Sequence, residues 1–435
     1  MLHTFNFDDK YYMFDNVSST LLECDEKVHL FLKGELEKLS SDELAEITSE
    51  IEELKNSGLI LKEESKVVPP KSEHVKALCL HICHDCNLRC EYCFASEGTF
   101  KGEREYMSEE VGLKAVDFLI ANCGNRKILE MDFFGGEPLM NLDVVKKVVE
   151  YAKEQGKKNG KTFLFTMTTN AVLLDDSTID YLNEEMENVV LSLDGRKETH
   201  DKIRKTRNGK GSFDIIIDNI RKFVARRGNK SYYIRGTFTK ENLNFKDDVL
   251  FMADNGFKEI SLEPVVLDKC HRLFIGEKDL PQIKEEYKSL AREYIKRKQD
   301  GNGFNFFHFA IDLEGGPCIS KRINACGAGN EYFSVTPKGE IFPCHQFADN
   351  RNYLMGNVFD GKIDENIRKV FKEANLYTKE KCKDCFAKYH CSGGCCANNV
   401  NFNGDINKPY EITCEMMKTR IECALHILAT LKEEK

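Results

Sequence analysis

The sequence predicts an α/β protein: a partial (β/α)6 barrel, preceded by a small α+β unit and followed by a cysteine-rich region. Three observations predict it. Between residues 74 and 300, strand-like apolar runs alternate with helical periodicity six times, the pattern of a parallel sheet curling toward a barrel. Three cysteines fall within eight residues directly after the first of those runs. From Gly315 onward cysteines become dense and periodic structure scarce, so metal is expected to supply part of the folding energy there.

A chain of 435 residues allows two or three domains of ~100–200 residues each. With 41% hydrophobic and 31% charged residues it can build a sizeable core. The formal net charge is -9 and no long basic run occurs. That argues against a dedicated nucleic-acid binder and leaves a peptide substrate open. No apolar stretch approaches the ~18 residues of a membrane span. Met1-Leu2-His3-Thr4-Phe5 lacks the basic and apolar regions of a signal peptide, so the expected compartment is the cytoplasm. Eighteen cysteines there point to metal binding before disulfides.

Residues 1–65 read as a separate unit, with strands over His3–Phe7, Lys10–Phe14 and Thr20–Cys24 before two helical patterns. The second pattern, Asp42–Ser57, places Leu44, Ile47, Ile51 and Leu54 at helical spacing. Ser40 or Ser41 caps it and Gly58 ends it. Glu63–Glu73, with Pro69 and Pro70, reads as a linker. The second domain spans 74–300, with strands Ala77–Ile82, Leu129–Phe134, Phe163–Thr168, Val189–Leu193, Tyr232–Phe238 and Glu259–Val265. Val144–Lys153 and Phe213–Val224 are among its helices. In such barrels chemistry gathers at the C-terminal ends of the strands. The third domain spans 310–435, and a helix over Glu415–Lys432 closes it.

Cys86, Cys90 and Cys93 follow the first barrel strand. A cube-shaped iron–sulfur cluster wants thiolate ligands. Three cysteines leave one iron open, and an open metal position can chelate the amino and carboxylate groups of a small molecule. A structural zinc loop is the competing reading, but it takes four protein ligands and only three are regularly spaced. Cys79 and Cys83, on the strand itself, are expected to be core thiols. Gly135-Gly136-Glu137-Pro138 follows the second strand. Its glycines allow close backbone approach to a ligand, and its carboxylate can accept from an ammonium group.

The C-x3-C-x2-C spacing of Cys86, Cys90 and Cys93 resembles the signature of the radical S-adenosylmethionine (SAM) superfamily. The resemblance implies a TIM-like partial barrel in which the Gly135–Pro138 motif holds the methionine amino group. It further implies that Ser192 and Asp194 lie near the ribose, Arg235 faces the methionine carboxylate and Tyr92 packs by the adenine. Thr168, Thr169 and Asn170 end the third strand at the same face.

Cys326, Cys344, Cys382, Cys385, Cys391, Cys395 and Cys414 resemble the seven-cysteine SPASM domain, which carries two auxiliary four-iron clusters. Carried over, Cys326, Cys344 and Cys395 bind the first auxiliary cluster, and Cys382, Cys385, Cys391 and Cys414 the second. Cys318 is either a fourth ligand of the first, or that iron stays open for a substrate thiolate. With the SAM cluster, this makes three [4Fe-4S] clusters. A zinc ribbon over Cys382–Cys395 is the alternative. Cys24, Cys123, Cys270, Cys396 and Cys423 fit neither pattern and are expected as buried thiols.

The runs Ala77–Cys90, Met131–Met140 and Val190–Glu198 resemble those of thioether-forming peptide maturases, the SCIFF maturases and other ranthipeptide or sactipeptide synthases. Residues 1–65 resemble the winged-helix element that binds a leader peptide by strand addition. The implied reaction is one-electron cleavage of SAM to a 5′-deoxyadenosyl radical, hydrogen abstraction from a peptide carbon, and attack of a peptide cysteine sulfur there, with the thiol proton lost and one electron leaving through the auxiliary clusters. The implied partners are a Cys-rich precursor peptide with its leader, and a flavodoxin or ferredoxin as electron donor. Sulfatase-maturing enzymes carry an acidic residue after the second cysteine of the first auxiliary set; here it is His345. A histidine there serves as a base for thiol deprotonation or as a hydrogen-bonded neighbour of the cluster. Formylglycine formation, carbon–carbon cross-linking and a zinc-binding scaffold are the rival functions.

Overall fold

The computed structural model describes residues 1–63, 73–313 and 322–432. In chain order it begins with strands β1 (Leu2–Phe7), β2 (Lys10–Asp15) and β3 (Thr20–Cys24), then helices α1 (Glu26–Lys33) and α2 (Ser41–Asn56). The middle of the chain is β4 (Ala77–His84), β5 (Leu88–Cys90), β6 (Glu105–Tyr106), α3 (Glu109–Asn122), β7 (Ile128–Gly135), α4 (Leu142–Asn159), β8 (Thr162–Thr169) and α5 (Asp176–Glu185). It continues as β9 (Asn188–Ser192), α6 (Lys197–Ile203), β10 (Arg204–Thr206), α7 (Phe213–Arg226), β11 (Ser231–Phe238), α8 (Phe245–Asp254), β12 (Glu259–Pro264) and α9 (Leu280–Gln299). The rest is β13 (Asn305–Phe306), β14 (Tyr332–Val335), β15 (Glu340–Phe342), β16 (Gly356–Asn357), β17 (Lys362–Ile363), α10 (Glu365–Glu373), α11 (Glu380–Lys383), α12 (Lys388–Cys391), α13 (Cys396–Asn403) and α14 (Glu411–Lys432).

Two compact units emerge. One combines Met1–Pro70, Leu280–Ala325 and Ala374–Lys435; the other combines Lys71–Asp279 and Cys326–Glu373. The N-terminal segment thus shares a unit with the end of the chain, and the segment 310–435 is divided between both units.

In the larger unit the sheet order is β12-β11-β9-β8-β7-β4-β14-β15-β16-β17. Neighbours from β12 to β14 are parallel, and β14 to β17 pair antiparallel. All six expected barrel strands form, within two residues of the expected bounds. β14 was not expected: Tyr332–Val335 joins the sheet beside β4.

The strands alternate because their two faces meet different surroundings. On β7, Leu129, Met131 and Phe133 are fully buried, while Asp132 and Phe134 are half-buried. On β8, Phe163, Phe165 and Met167 are buried, while Thr166 and Thr168 are half-buried. The buried face is the helix side: a Cβ added at Gly156 of α4 would stand 3.2 Å from the Phe163 ring. Each such apolar side chain contributes about 1.5–3 kcal/mol by leaving water. The other, partly polar face stays open and carries the site. Cys79 and Cys83 are buried on β4, as expected.

In the smaller unit β1-β2-β3 form an antiparallel meander. α2 starts with a capping box, Ser40 and Glu43 satisfying each other's backbone, and Gly58 lies past its end at φ +73°. α14 packs along α9, with Lys284 2.6 Å from Glu415. β1 reaches the C-terminal segment: the His3 ring stacks on Phe386, centroids 3.5 Å apart. The Tyr12 hydroxyl lies 2.9 Å from His426 Nδ1.

Some expectations are corrected. Cys270 is exposed and Cys24 half-buried, because one lies in a surface loop and the other at a strand end. The C-terminal region is more regular than expected; α14 begins at Glu411, four residues early. Most of the Glu63–Glu73 linker lies outside the described residues. No described helix is long and apolar enough to cross a membrane.

Candidate functional site

In the larger unit, Cys86, Cys90 and Cys93 stand just past β4, with Cys90 ending β5. The loop after them is unusual. Ser96, Glu97, Gly98, Phe100 and Lys101 all have positive φ, from 48° to 93°, a conformation that costs non-glycine residues energy and persists only under firm support. Support comes from the Phe100 ring, which packs against His81 and His84 at centroid distances of 4.5 and 4.6 Å, while the cysteine segment before the loop is held by the crossover after β9. β10 pairs antiparallel with β5, setting Arg204 opposite Cys90. Arg207 donates to the Cys86 carbonyl and to Asp85 Oδ1, both at 2.7 Å. Burial raises the Cys86 thiol well above its ordinary value, and Cys90 and Cys93 add to the shift. Burial also pushes Cys90 up to about 11, against the pull of Arg204. Iron binding would therefore release protons from this loop.

The Gly135-Gly136 turn lies directly on it. A Cβ at Gly136 would overlap the Asp85 carbonyl, one at Gly135 the Cys83 carbonyl, and one at Gly98 would come within 2.9 Å of Gly136 Cα. Only glycine permits that approach. Glu137 is turned inward: it accepts from Thr169 Oγ1 and Asn170 N, each at 2.8 Å, and from Leu139 N at 3.1 Å. Burial raises it to about 7, and these donors oppose the rise. Pro138 is buried at the start of the short helix Pro138–Asn141. Asn170 Nδ2 donates to Asn87 Oδ1 at 2.7 Å and lies 3.6 Å from Cys86 Sγ.

Asp194, just past β9, gathers a second group. It accepts from the Tyr92 hydroxyl (2.7 and 2.9 Å), Thr237 N (3.0 Å) and Arg204 Nε (3.1 Å). Ser192 and Arg235 are register partners on β9 and β11, and Arg235 is exposed. Thr168, half-buried, shares the open face of β8. His345 packs 5.0 Å from Phe134 and 5.4 Å from Phe94, ring to ring, and its buried Nδ1 has no hydrogen-bond partner among the described residues. Desolvation pushes this histidine down to about 4, with Arg235 adding to it.

In the smaller unit a cavity of about 710 Å³ is lined by Cys382, Cys385, Cys391 and Cys414, with His3 and Lys418. Burial pushes Cys382 up to about 11 and Cys414 up to about 12, and neighbouring thiols add to both. Four thiols on one cavity form a complete donor set for a four-iron cluster. Cys326 and Cys344 belong to the larger unit and Cys395 to the smaller. Within the larger unit, Gly329 N donates to the Pro343 carbonyl at 3.0 Å, linking the segments that follow Cys326 and precede Cys344. Cys318 lies outside the described residues. Among the described residues no three His, Cys, Asp or Glu are gathered tightly enough for a single metal ion; a four-iron cube spaces its thiolates more widely. The open three-cysteine loop, the glycine cradle and the exposed Arg235 suit such a cluster carrying a small zwitterion.

Sequence reasoning missed Asp85, Arg204 and Arg207. The arginines lie in the crossover after β9, and no local spacing ties them to the cysteine loop. The Asp85–Cys86 adjacency was the one available signal.

Residues 80–252 match the radical SAM superfamily, and residues 326–386 the SPASM iron–sulfur cluster-binding domain. A cysteine-type anaerobic sulfatase-maturating enzyme of Clostridium novyi is 26% identical, over 78% of this chain and 92% of its own length. The radical SAM cyclopropyl synthase TigE of Paramaledivibacter caminithermalis is 22% identical, over 95% of this chain and 92% of its own. The solved structure of native anSMEcpe with bound AdoMet and Kp18Cys peptide shares the fold, with a TM-score of 0.68 and 21% identity over 83% of this chain and 99% of that one.

Proposed function

The chain is a radical SAM enzyme carrying a SPASM domain, and from that premise we propose that it installs thioether cross-links in a cysteine-rich precursor peptide, from cysteine sulfur to a carbon of another residue. The observation that carries the reading is convergence. The Cys86–Cys93 loop, the glycine turn and the Asp194 group meet beyond the C-terminal ends of β4, β7 and β9 of one parallel sheet.

Cys86, Cys90 and Cys93 are assigned the SAM cluster. Cys382, Cys385, Cys391 and Cys414 are assigned one auxiliary cluster, and Cys326, Cys344 and Cys395, with or without Cys318, the other. When bound, SAM and its cluster supply one-electron cleavage of a sulfonium carbon–sulfur bond, which removes a hydrogen atom from carbon. The chain's own residues set the geometry for this. Glu137 ties Thr169 and Asn170 to the glycine turn, and Asn170 in turn orients Asn87 beside Cys86. Arg235, exposed next to Ser192, offers a cation to a carboxylate. Tyr92 and Asp194 form a fixed polar wall for the nucleoside, with Thr168 on the same open face. His345 is the proposed neighbour of the substrate thiol: its Nδ1, kept neutral by burial, can accept a hydrogen bond from the thiol, and the same burial makes it a weak base. β3, at an edge of its three-stranded sheet, is assigned to the leader peptide by strand addition. A flavodoxin or ferredoxin is the proposed electron donor.

The test is anaerobic reconstitution with iron and sulfide, followed by dithionite, SAM and a cysteine-rich peptide encoded nearby. Loss of two hydrogens per cross-link, with thiols protected from alkylation, supports the reading. The relatives favour two other outcomes of the same assay. Formylglycine marks a sulfatase-maturating activity, the kind for which the 26%-identical relative is named. Loss of two hydrogens with thiols still alkylatable marks carbon–carbon bond formation, for which TigE is the precedent in name.

A further inference from the structure

We propose that Arg204 sets the reduction potential of the SAM cluster. This rests on the assignment of Cys90 as a cluster ligand. Arg204 faces Cys90 across the β10–β5 pair, and its Nη1 lies 3.8 Å from Cys90 Sγ. The same guanidinium is held from two other sides. Its Nε donates to Asp194 Oδ2 at 3.1 Å, and its plane lies 5.4 Å from the Tyr92 ring centre. A guanidinium fixed by a carboxylate and an aromatic face cannot swing into water. Its Nη1 stays directed at the sulfur.

The position of β10 is itself determined. The Ile203 carbonyl accepts from Glu91 N at 3.1 Å, and Arg207 pins the Cys86 carbonyl and Asp85. The crossover between β9 and α7 thus grips the ligand loop at both ends, and Arg204 is the part of that grip pointing at a ligand sulfur. Cluster potentials follow net charge and hydrogen bonds to the sulfurs. An N–H directed at a thiolate withdraws electron density, and a buried cation favours the extra electron of the reduced cluster. Both effects move the potential upward. Arg204 acts here as a positioning residue, since it works through Cys90 and contacts no reacting atom.

The test is a redox titration of the full reconstituted chain, followed by electron paramagnetic resonance. The SAM cluster is identified as the signal that changes when SAM is added. In Arg204→Gln the ratio of reduced to oxidised cluster at a fixed potential near the midpoint falls about tenfold, a shift of about 59 mV to the negative side for one electron. Arg204→Lys keeps the charge, loses the aimed fork, and shifts in the same direction by less. If Arg204→Gln fails to retain iron, Arg204→Lys decides alone: a more negative potential supports the proposal and an unchanged one overturns it. An unchanged potential in an iron-replete Arg204→Gln overturns it outright. A wild-type chain with no SAM-responsive signal overturns the Cys90 assignment first, and the proposal falls with it.

Discussion

Tyr92 and Asp194 are joined across 102 residues of sequence, the phenol hydroxyl donating at 2.7 Å to a carboxylate that is 1% exposed. The same carboxylate carries Arg204, itself only 11% exposed. Removing one partner of a buried ion pair leaves the other charge stranded, at a cost of about 3–5 kcal/mol. Asp194→Ala is therefore expected to lose about that much stability in denaturant unfolding of the apoprotein. Tyr92→Phe, which removes a hydrogen bond to that charged carboxylate, is expected to lose about 1.5–3 kcal/mol.

Gly136→Ala places a methyl group on the Asp85 carbonyl. The glycine turn must withdraw from the cysteine loop to make room. Iron bound by the larger unit's loop is expected to fall, while the smaller unit's cavity, lined by Cys382 and Cys414, keeps its own. Iron and sulfide analysis beside a Gly160→Ala control checks this: its Cβ would meet nothing within 4 Å, and its φ of +64° strains the backbone at the end of α4, away from the cysteine loop.

Counting iron separates the cysteine sets. The three four-iron clusters proposed above would amount to about twelve irons per chain. Cys414→Ala is expected to lose about four of these and to keep SAM cleavage. Cys86→Ala is expected to lose about four and to abolish release of 5′-deoxyadenosine. Equal loss of SAM cleavage in both variants would contradict the separate assignments.

His426 gives a pH dependence whose direction follows from its burial. Desolvation pushes it down to about 4, against the pull of Asp8. The folded state needs the neutral ring, which stacks on Phe7 and meets the Tyr12 hydroxyl. Its unfolded value is about 6.5. Stability from this site is complete above about 6.5 and is lost as pH falls toward 4. Thermal unfolding at steps between pH 7 and 4 should show a falling midpoint, with a shallower slope in His426→Gln. His200, also lowered to about 4 by burial, adds to the wild-type slope, so the variant flattens it only in part.

Of the six strand-forming stretches of the larger unit, β7, β8, β9 and β11 were legible because alternating burial leaves a period-two pattern in the chain itself, and β4, buried along its whole length, because it is a short apolar run. The cysteine loop was legible for a similar reason: ligands of one cluster can be supplied by a few adjacent residues, so spacing records chemistry directly. The Cys382, Cys385, Cys391 and Cys414 set was legible in the same way, and the structure lines one cavity with all four.

Tertiary structure alone decided the rest. Arg204 reaches Cys90 over 114 residues, β14 finds β4 after more than 240 residues of intervening chain, and His3 meets Glu422 over 419. Periodicity says which face of a segment is buried, and spacing says which neighbours share a ligand. Neither records which distant strand or guanidinium fills the other side, because that is fixed only when the separate segments compete for the same buried surface and hydrogen bonds.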